Sequence, residues 1–286
     1  MNTAASYAVI GHPLGHSMSP FIHRRLFALS GREAVYDTHD IPPETLSEEL
    51  PRLFTVLSGC NITIPHKQAV IPLLTRLEGR AALYRSVNTI AVTPEGTVGY
   101  NTDADGFLSA LKAEGVSLSG RVVLLGCGGV GRTFACEAAL AGCTLINAVR
   151  DADLTAGEAL RDYVETLVPG AAVELVTLRE LEERGEAVNL LINATPVGMY
   201  PHADASPVSG AVTRRAAAVF DAVYNPRDTR LLQMARADGA KTVAGMPMLV
   251  WQAAVAHGCW YGASFDAADV AALVEDAQAE MERQFG

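Results

Sequence analysis

Positive charge is scarce in this chain. Its 22 lysines and arginines face 32 aspartates and glutamates, a formal net charge of −10 at pH 7 with the histidines neutral. A field of that sign repels phosphate backbones and anionic headgroups, so nucleic acid and membrane surfaces are poor partners. A small anionic ligand stays open, because a local site can oppose the global field. Long apolar runs are missing too: no stretch reaches the roughly 18 residues that a spanning helix needs. Residues 1–6 have neither the basic nor the apolar region of a secretory signal. Cysteine is sparse, with Cys60, Cys127, Cys136, Cys143 and Cys259 odd in number and forming no C-x-x-C pair. They read as reduced, mostly buried thiols of a cytoplasmic protein, with neither a disulfide framework nor a metal site.

What is present is mostly apolar. Hydrophobic residues make up 49% and charged ones 19%, a balance that excludes disorder. At about 150 residues per domain, 286 residues suggest two domains. Such a length buries about three quarters of the unfolded surface, so no staples are needed.

The N-terminal third alternates strand and helix signals. Residues 7–11 (YAVIG) form a short apolar run ended by Gly-His-Pro, as a buried parallel strand should be. Ser19-Pro20 predicts a helix start, with serine as cap and proline in the first turn, and Gly31 closes it. Residues 61–64 read as a strand stopped by Pro65, and Lys67 then opens an apparent helix. Residues 87–92 and 97–100, joined by Glu95-Gly96, predict a hairpin. Phe107, Leu108 and Leu111 share a helical face that ends at Gly115.

Beyond it, RVVLL (121–125) runs into a glycine turn. Further strands are expected at 144–149, 172–176, 188–193 and 217–221, with helices at 153–167 and 228–237. Alternating strands and helices argue a parallel sheet covered on both faces. From 248 to 285 only helical periodicity remains. A central α/β domain beside a smaller α/β domain follows, with the tail returning to the first domain.

The segment Gly126-Cys127-Gly128-Gly129-Val130-Gly131 matches the G-x-G-x-x-G dinucleotide fingerprint. With 25 glycines in 286 positions that spacing arises by chance about 0.2 times per chain, so spacing alone is weak. The preceding strand and following helix give it weight, since a helix N-terminus offers N–H groups and partial positive charge to phosphates. The next strand ends in Arg150 and Asp151. An arginine there suits a ribose 2′-phosphate and an acid suits a 2′-hydroxyl, so NADP and NAD both stay open.

Polar residues gather at the ends of elements in four early segments and one late one. These are 11–20, 61–67, 86–89, 101–103, and Trp251-Gln252. Each has a bland reading beside the functional one. Ser19 and Asp103 can be helix caps, Asn88 and Thr63 can satisfy turns, and Lys67 can be a solvated surface lysine. At a helix start the macrodipole disfavours a cation, so Lys67 needs some other benefit. His12 and His16 are four apart across Pro13 with no third ligand, so no metal is expected.

Taken in order, these segments resemble the shikimate dehydrogenase family. The patterns G-x-P-x-x-H-S-x-S-P, N-[VI]-T-[VI]-P-x-K, [AS]-V-N-T, N-T-D, G-x-G-G-x and N-[AT]-T-P-x-G-M all occur, the last at 193–199. Tyr224 in Asp-Ala-Val-Tyr-Asn-Pro and Gln252 in Met-Leu-Val-Trp-Gln-Ala also match, so the resemblance runs from Tyr7 to about Gly262. It implies a two-domain α/β fold: a Rossmann doubly wound parallel sheet at 104–246, and a smaller α/β substrate domain built from both chain ends, 1–103 and 247–286, with a cleft separating them.

The implied activity is reversible NAD(P)-dependent reduction of 3-dehydroshikimate to shikimate, with NADP favoured. Lys67 and Asp103 would form the catalytic pair. Ser17, Ser19 and Tyr224 would bind the substrate carboxylate, and Thr63, Asn88 and Gln252 the ring hydroxyls. Gly126, Cys127, Gly128, Gly129 and Val130 would cradle the pyrophosphate, with Arg150 and Asp151 near the ribose and Gly245 near the nicotinamide. A monomer or homodimer is expected.

Three departures stand out. The usual N-R-[ST] reads Val149-Arg150-Asp151, with Leu154 at the later basic position. The usual G-L-G-M reads Gly245-Met246-Pro247-Met248, and His66 replaces the more common aromatic before Lys67. A relative acting on quinate or an amino analogue is the close alternative, and a non-catalytic nucleotide or metabolite sensor a more distant one. A sensor has no need of a proton donor, so the Lys67 and Asp103 pair argues for the enzyme.

Overall fold

The computed structural model describes residues 5–15 and 17–285. His16, considered above with His12, lies outside the described residues. The chain divides into two compact units, Met1–Gly106 with Val250–Glu280, and Phe107–Leu249 with Met281–Gly286. Among the described residues no helix is long and apolar enough to cross a membrane.

The first unit is built on a six-stranded mixed sheet. Its strands are β1 (Ala5–Gly11), β2 (Ala34–Asp40), β3 (Gly59–Ile62), β4 (Arg76–Leu77), β5 (Thr89–Thr93) and β6 (Gly96–Tyr100), ordered β2-β1-β3-β5-β6-β4. β1 pairs in parallel with β2 and β3, which is why YAVIG is apolar at successive positions. Ala8 and Ile10 face a core with Ile62, Leu50 and Ile90, while Tyr7 and Val9 pack with Phe27 and Tyr36 on the other side. Each such aliphatic side chain contributes about 1.5–3 kcal/mol by leaving water. Gly59 is required by packing: a Cβ there would lie 2.5 Å from Trp260 Nε1, which donates to the Ile90 carbonyl at 3.0 Å.

β5 and β6 form the expected antiparallel hairpin, with Thr93 paired to Gly96. β2 and β4 carry no clear signal in the sequence. β2, AVYDTHD, lies at the sheet edge with Tyr36 its one fully buried side chain. An edge strand is polar on its open side, and apolar periodicity fades there.

The second unit has an all-parallel sheet of β7 (Arg121–Leu125), β8 (Thr144–Val149), β9 (Val173–Thr177), β10 (Val188–Asn193), β11 (Ala216–Asp221) and β12 (Lys241–Val243). The order β12-β11-β10-β7-β8-β9 makes the chain wind one way from β7 and then the other. This doubly wound order places a topological switch between β7 and β10, where such sheets bind ligands beyond the strand ends. Phe107, Phe134 and Phe220 fill one face of it, with ring centroids 4.3–5.5 Å apart.

Two local expectations are corrected. The helix Ser19–Leu29 has Met18, not Ser19, at its N-cap, and no side-chain cap. Lys67 does not open a helix; it sits in a string of turns between β3 and the short 3-10 turn Ile71–Leu73, so the macrodipole has no say there.

Candidate active site

Sheet register gathers the polar residues of the first unit. Asn61 on β3 pairs with Thr89 on β5, and Thr89 with Tyr100 on β6. The carboxyl ends of β3 and β6 and the amino end of β5 therefore share one rim. Thr63 and Lys67 follow the first, Asn101 to Asp103 the second, and Asn88 precedes the third. A backbone bond from Val87 N–H to the Lys67 carbonyl, 2.7 Å, joins two of these segments.

At that rim Lys67 Nζ donates to Asp103 Oδ2 at 2.6 Å, with the two side chains 17% and 8% exposed. Asp103 Oδ1 accepts from Asn88 Nδ2 at 2.9 Å. Asn88 Oδ1 accepts the Thr102 N–H at 2.7 Å, which fixes the amide so that its nitrogen faces the carboxylate. The two N–H groups of Asn88 are shared among Asp103, Thr102 Oγ1 at 3.0 Å and Gln252 Oε1 at 3.2 Å. Asp103 opens the helix Asp103–Ala113, where a negative charge is favoured, and its N–H donates to Asn101 Oδ1 at 3.2 Å. Each carboxylate oxygen thus has one side-chain donor, Lys67 on Oδ2 and Asn88 on Oδ1. The ammonium spends one of its three N–H donors on it and can serve a reacting oxygen with the others.

Ser17 and Ser19 flank the start of the neighbouring helix. Ser17 Oγ accepts the Ser19 N–H at 3.3 Å, from one position before the Met18 N-cap. Nearby, burial holds the Tyr36 phenol well above its usual pKa. That phenol donates to Asn61 Oδ1 at 2.7 Å, and Asn61 Nδ2 reaches Thr89 Oγ1 at 3.1 Å. Thr63 is half-buried, and its Cγ2 occupies the space that a Cβ on Gly11 would need. His12 is held by Asp40, Nδ1 to Oδ1 2.6 Å, and the second Asp40 oxygen accepts the Leu14 N–H at 3.0 Å. That pair holds His12 and Leu14 just beyond the end of β1. No group of three metal-ligating side chains occurs among the described residues. His66 is fully buried with Nε2 2.6 Å from the Ile41 carbonyl, so an imidazole replaces an aromatic ring without leaving that nitrogen unpaired.

The second unit holds a cavity of about 550 Å³ beyond the ends of β7, β8 and β10. Gly126, Cys127, Gly128, Arg150, Asp153 and Thr195 are among its walls. The glycines divide the work. Gly126 has φ +94°, and a Cβ there would strike Thr195 at 2.8 Å. Around Gly128 and Gly129 the space is open, so a ligand can approach the backbone at the start of the helix Gly129–Leu140, which has no side-chain cap. At Gly131 a Cβ would press on the Gly126 carbonyl at 3.2 Å, the close approach between turn and helix. Val130 is half-buried in that first turn. Room for a nucleotide, an uncapped helix start and an arginine at the rim together fit a phosphorylated dinucleotide. Asp151 is exposed and does not line the cavity, whereas Asp153 does.

Tyr224 and Gly245 also belong to the second unit. Tyr224 is half-buried just after β11. Gly245 begins the helix Gly245–Tyr261, and a Cβ there would lie 2.6 Å from the Ala222 carbonyl oxygen. Pro247 falls in the first turn of this helix, where a missing N–H costs nothing. Asn193 braces the end of β10, donating to Asp221 Oδ1 at 2.9 Å and accepting the Thr195 N–H at 3.0 Å.

Lys67, Asp103, Asn88 and Gln252 are thus joined by hydrogen bonds, and Ser17 and Ser19 are linked at a helix start. Sequence reasoning assigned no role to Thr102, Tyr36 or Asp153. Thr102 had a signal, its place inside N-T-D; Tyr36, on a polar edge strand, had none.

Comparison with known proteins gives the family. The family model of the shikimate dehydrogenase substrate-binding domain matches residues 9–90. A shikimate dehydrogenase (NADP(+)) from Moorella thermoacetica is 35% identical over 257 residues, covering 89% of this chain and 87% of that protein. The crystal structure of shikimate 5-dehydrogenase from Thermus thermophilus, in complex with NADP(H) and shikimate, aligns with a TM-score of 0.84. It is 34% identical and covers 96% of this chain and 99% of that one. Quinate dehydrogenase from Corynebacterium glutamicum in complex with NAD aligns with a TM-score of 0.83 at 31% identity, covering 95% and 98%. On this sequence identity and coverage, the chain belongs to the shikimate dehydrogenase family.

Proposed function

We propose that the chain catalyses the reversible, NADP-linked reduction of 3-dehydroshikimate to shikimate, with the first unit taking the substrate and the second the cofactor. The observation that carries this reading is the Lys67 ammonium held 2.6 Å from the Asp103 carboxylate on a rim of hydrogen-bonding side chains. Bound NADP supplies or accepts a hydride at carbon. Reduction builds negative charge on the carbonyl oxygen, and Lys67 gives that oxygen its proton; in oxidation Lys67 takes the hydroxyl proton back. Asp103 orients the lysine and accepts from a neighbouring ring hydroxyl. Thr63, Asn88 and Gln252 offer the hydroxyl and amide groups suited to a polyhydroxylated ring. Ser17 and Ser19 offer hydroxyl donors to the substrate carboxylate at a lower desolvation cost than a buried ion pair. Gly126 to Val130 and Arg150 support the phosphates.

Quinate with NAD is the second reading, favoured by the likeness to a quinate dehydrogenase and by the acid beside Arg150. The test follows reduced-cofactor absorbance with shikimate and quinate, each with NADP and NAD. The highest specificity constant should fall to shikimate with NADP. A higher constant for quinate would move the assignment to the second reading, and no turnover with either acid would remove both.

A further inference from the structure

Among the residues lining the second-unit cavity, one is basic and one is acidic, and the two are bonded to each other. Arg150 Nε donates to Asp153 Oδ2 at 2.6 Å. Asp153 stands at the N-cap position of the helix Leu154–Leu167, yet its carboxylate makes no capping bond. Its direction is therefore set by Arg150 and not by the helix. The guanidinium holds the carboxyl below its usual range, so it is ionised at neutral pH. One positive and one negative charge leave this wall formally neutral.

A ribose 2′-phosphate brings about two negative charges to such a wall, whereas a 2′-hydroxyl brings a neutral donor. Arg150 favours the first and Asp153 the second. We propose that Asp153 is a specificity-determining residue of the cofactor site, competing with a 2′-phosphate for Arg150 and narrowing the preference for NADP over NAD. This inference rests on the dinucleotide reading given above. The side chains are 74% and 33% exposed, and an ion pair so solvated is weak enough for a phosphate to draw Arg150 away. The carboxylate, three residues on, then stays beside the phosphate with no partner and repels it. It also stays able to accept a bond from a 2′-hydroxyl. Both effects act in one direction.

The test titrates NADP and NAD separately into the full-length protein, by calorimetry at one ionic strength, for the wild type, D153N and D151N. Asparagine keeps the shape of the side chain and removes no cap. The ratio of the NAD to the NADP dissociation constant should rise about tenfold in D153N. In D151N, whose acid lies outside the cavity wall, it should stay within twofold. A ratio unchanged in D153N overturns the assignment, and so does an equal rise in D151N. If the wild type binds neither dinucleotide, the cofactor reading falls and this inference with it. If both bind and the ratio does not move, only the role of Asp153 falls.

Discussion

Lys67 Nζ lies 2.6 Å from Asp103 Oδ2, and the other oxygen of that carboxylate is held by Asn88. The two charges come from the ends of β3 and β6, which are not neighbours in the sheet; β5 lies between them and supplies Asn88 through the residues before it. In the proposed reaction each partner has a separable task, proton transfer for the ammonium and orientation for the carboxylate.

K67M should lower kcat by about 10³ while the dissociation constant for shikimate changes only severalfold. D103N should lower kcat by about 10² and keep the shape of the site. Steady-state kinetics and a binding titration measure both. Wild-type turnover in K67M would remove Lys67 from the chemistry. K67M strands a carboxylate that is 8% exposed, whereas D103N leaves the lysine, 17% exposed, an amide oxygen to bond. K67M should therefore also unfold at a lower temperature than D103N.

The serines separate in a different way. Ser17 Oγ accepts a backbone N–H at the start of the helix Ser19–Leu29, whereas the Ser19 hydroxyl does not cap. S17A and S19A should both raise KM for shikimate, by about fivefold to tenfold, with little change in kcat. Only S17A should also lose stability, by about 0.5–1 kcal/mol, as a lost helix-start acceptor does. An unchanged KM in both variants would place the substrate carboxylate elsewhere.

Much of this arrangement is legible in the chain. YAVIG and RVVLL read as buried parallel strands because both faces of those strands are covered, and the glycine turn reads through its spacing after RVVLL. The hairpin of β5 and β6 reads through Glu95-Gly96. The rest depends on register and on edges. No local pattern shows that Asn61, Thr89 and Tyr100 stand side by side, and that register is what brings Asn88 to Asp103. β2 is hidden because an edge strand need bury only a residue such as Tyr36. The bonding partner of Arg150 is hidden because Asp151 and Asp153 look alike in sequence, and only the 3-10 turn Asp151–Asp153 decides which carboxylate meets the guanidinium.

Two glycines should respond in opposite ways to the same added methyl group. In G245A the Cβ would lie 2.6 Å and 2.7 Å from the carbonyl oxygens of Ala222 and Val223, so backbone has to move. A loss of about 1–3 kcal/mol and a lower Tm should follow. In G128A the Cβ enters open space from a backbone at φ −71° that alanine adopts readily. Its stability should stay within about 0.5 kcal/mol of the wild type. Its affinity for NADP should nevertheless fall, because the methyl group occupies the approach to the helix start. Equal loss of stability in both variants would contradict this division between packing and binding.

Asp221 makes the stability of the second unit depend on pH. Its carboxylate has no solvent exposure and accepts from Thr229 Oγ1 at 2.6 Å, Asn193 Nδ2 at 2.9 Å and the Val223 N–H at 3.0 Å. Burial outweighs these bonds and pushes its pKa from 3.8 to about 6. The folded chain thus holds this proton more tightly than the unfolded chain. The stabilisation it gives is full below about pH 3.8 and is lost as pH rises to about 6, for a total of about 3 kcal/mol. D221N cannot titrate, and every other group acts on both proteins alike. The stability of the wild type minus that of D221N should therefore fall by up to about 3 kcal/mol between about pH 4 and pH 7, as measured by urea unfolding. A difference that rises over this range would mean that the hydrogen bonds outweigh burial and that the carboxylate is stabilised, not penalised, by its surroundings.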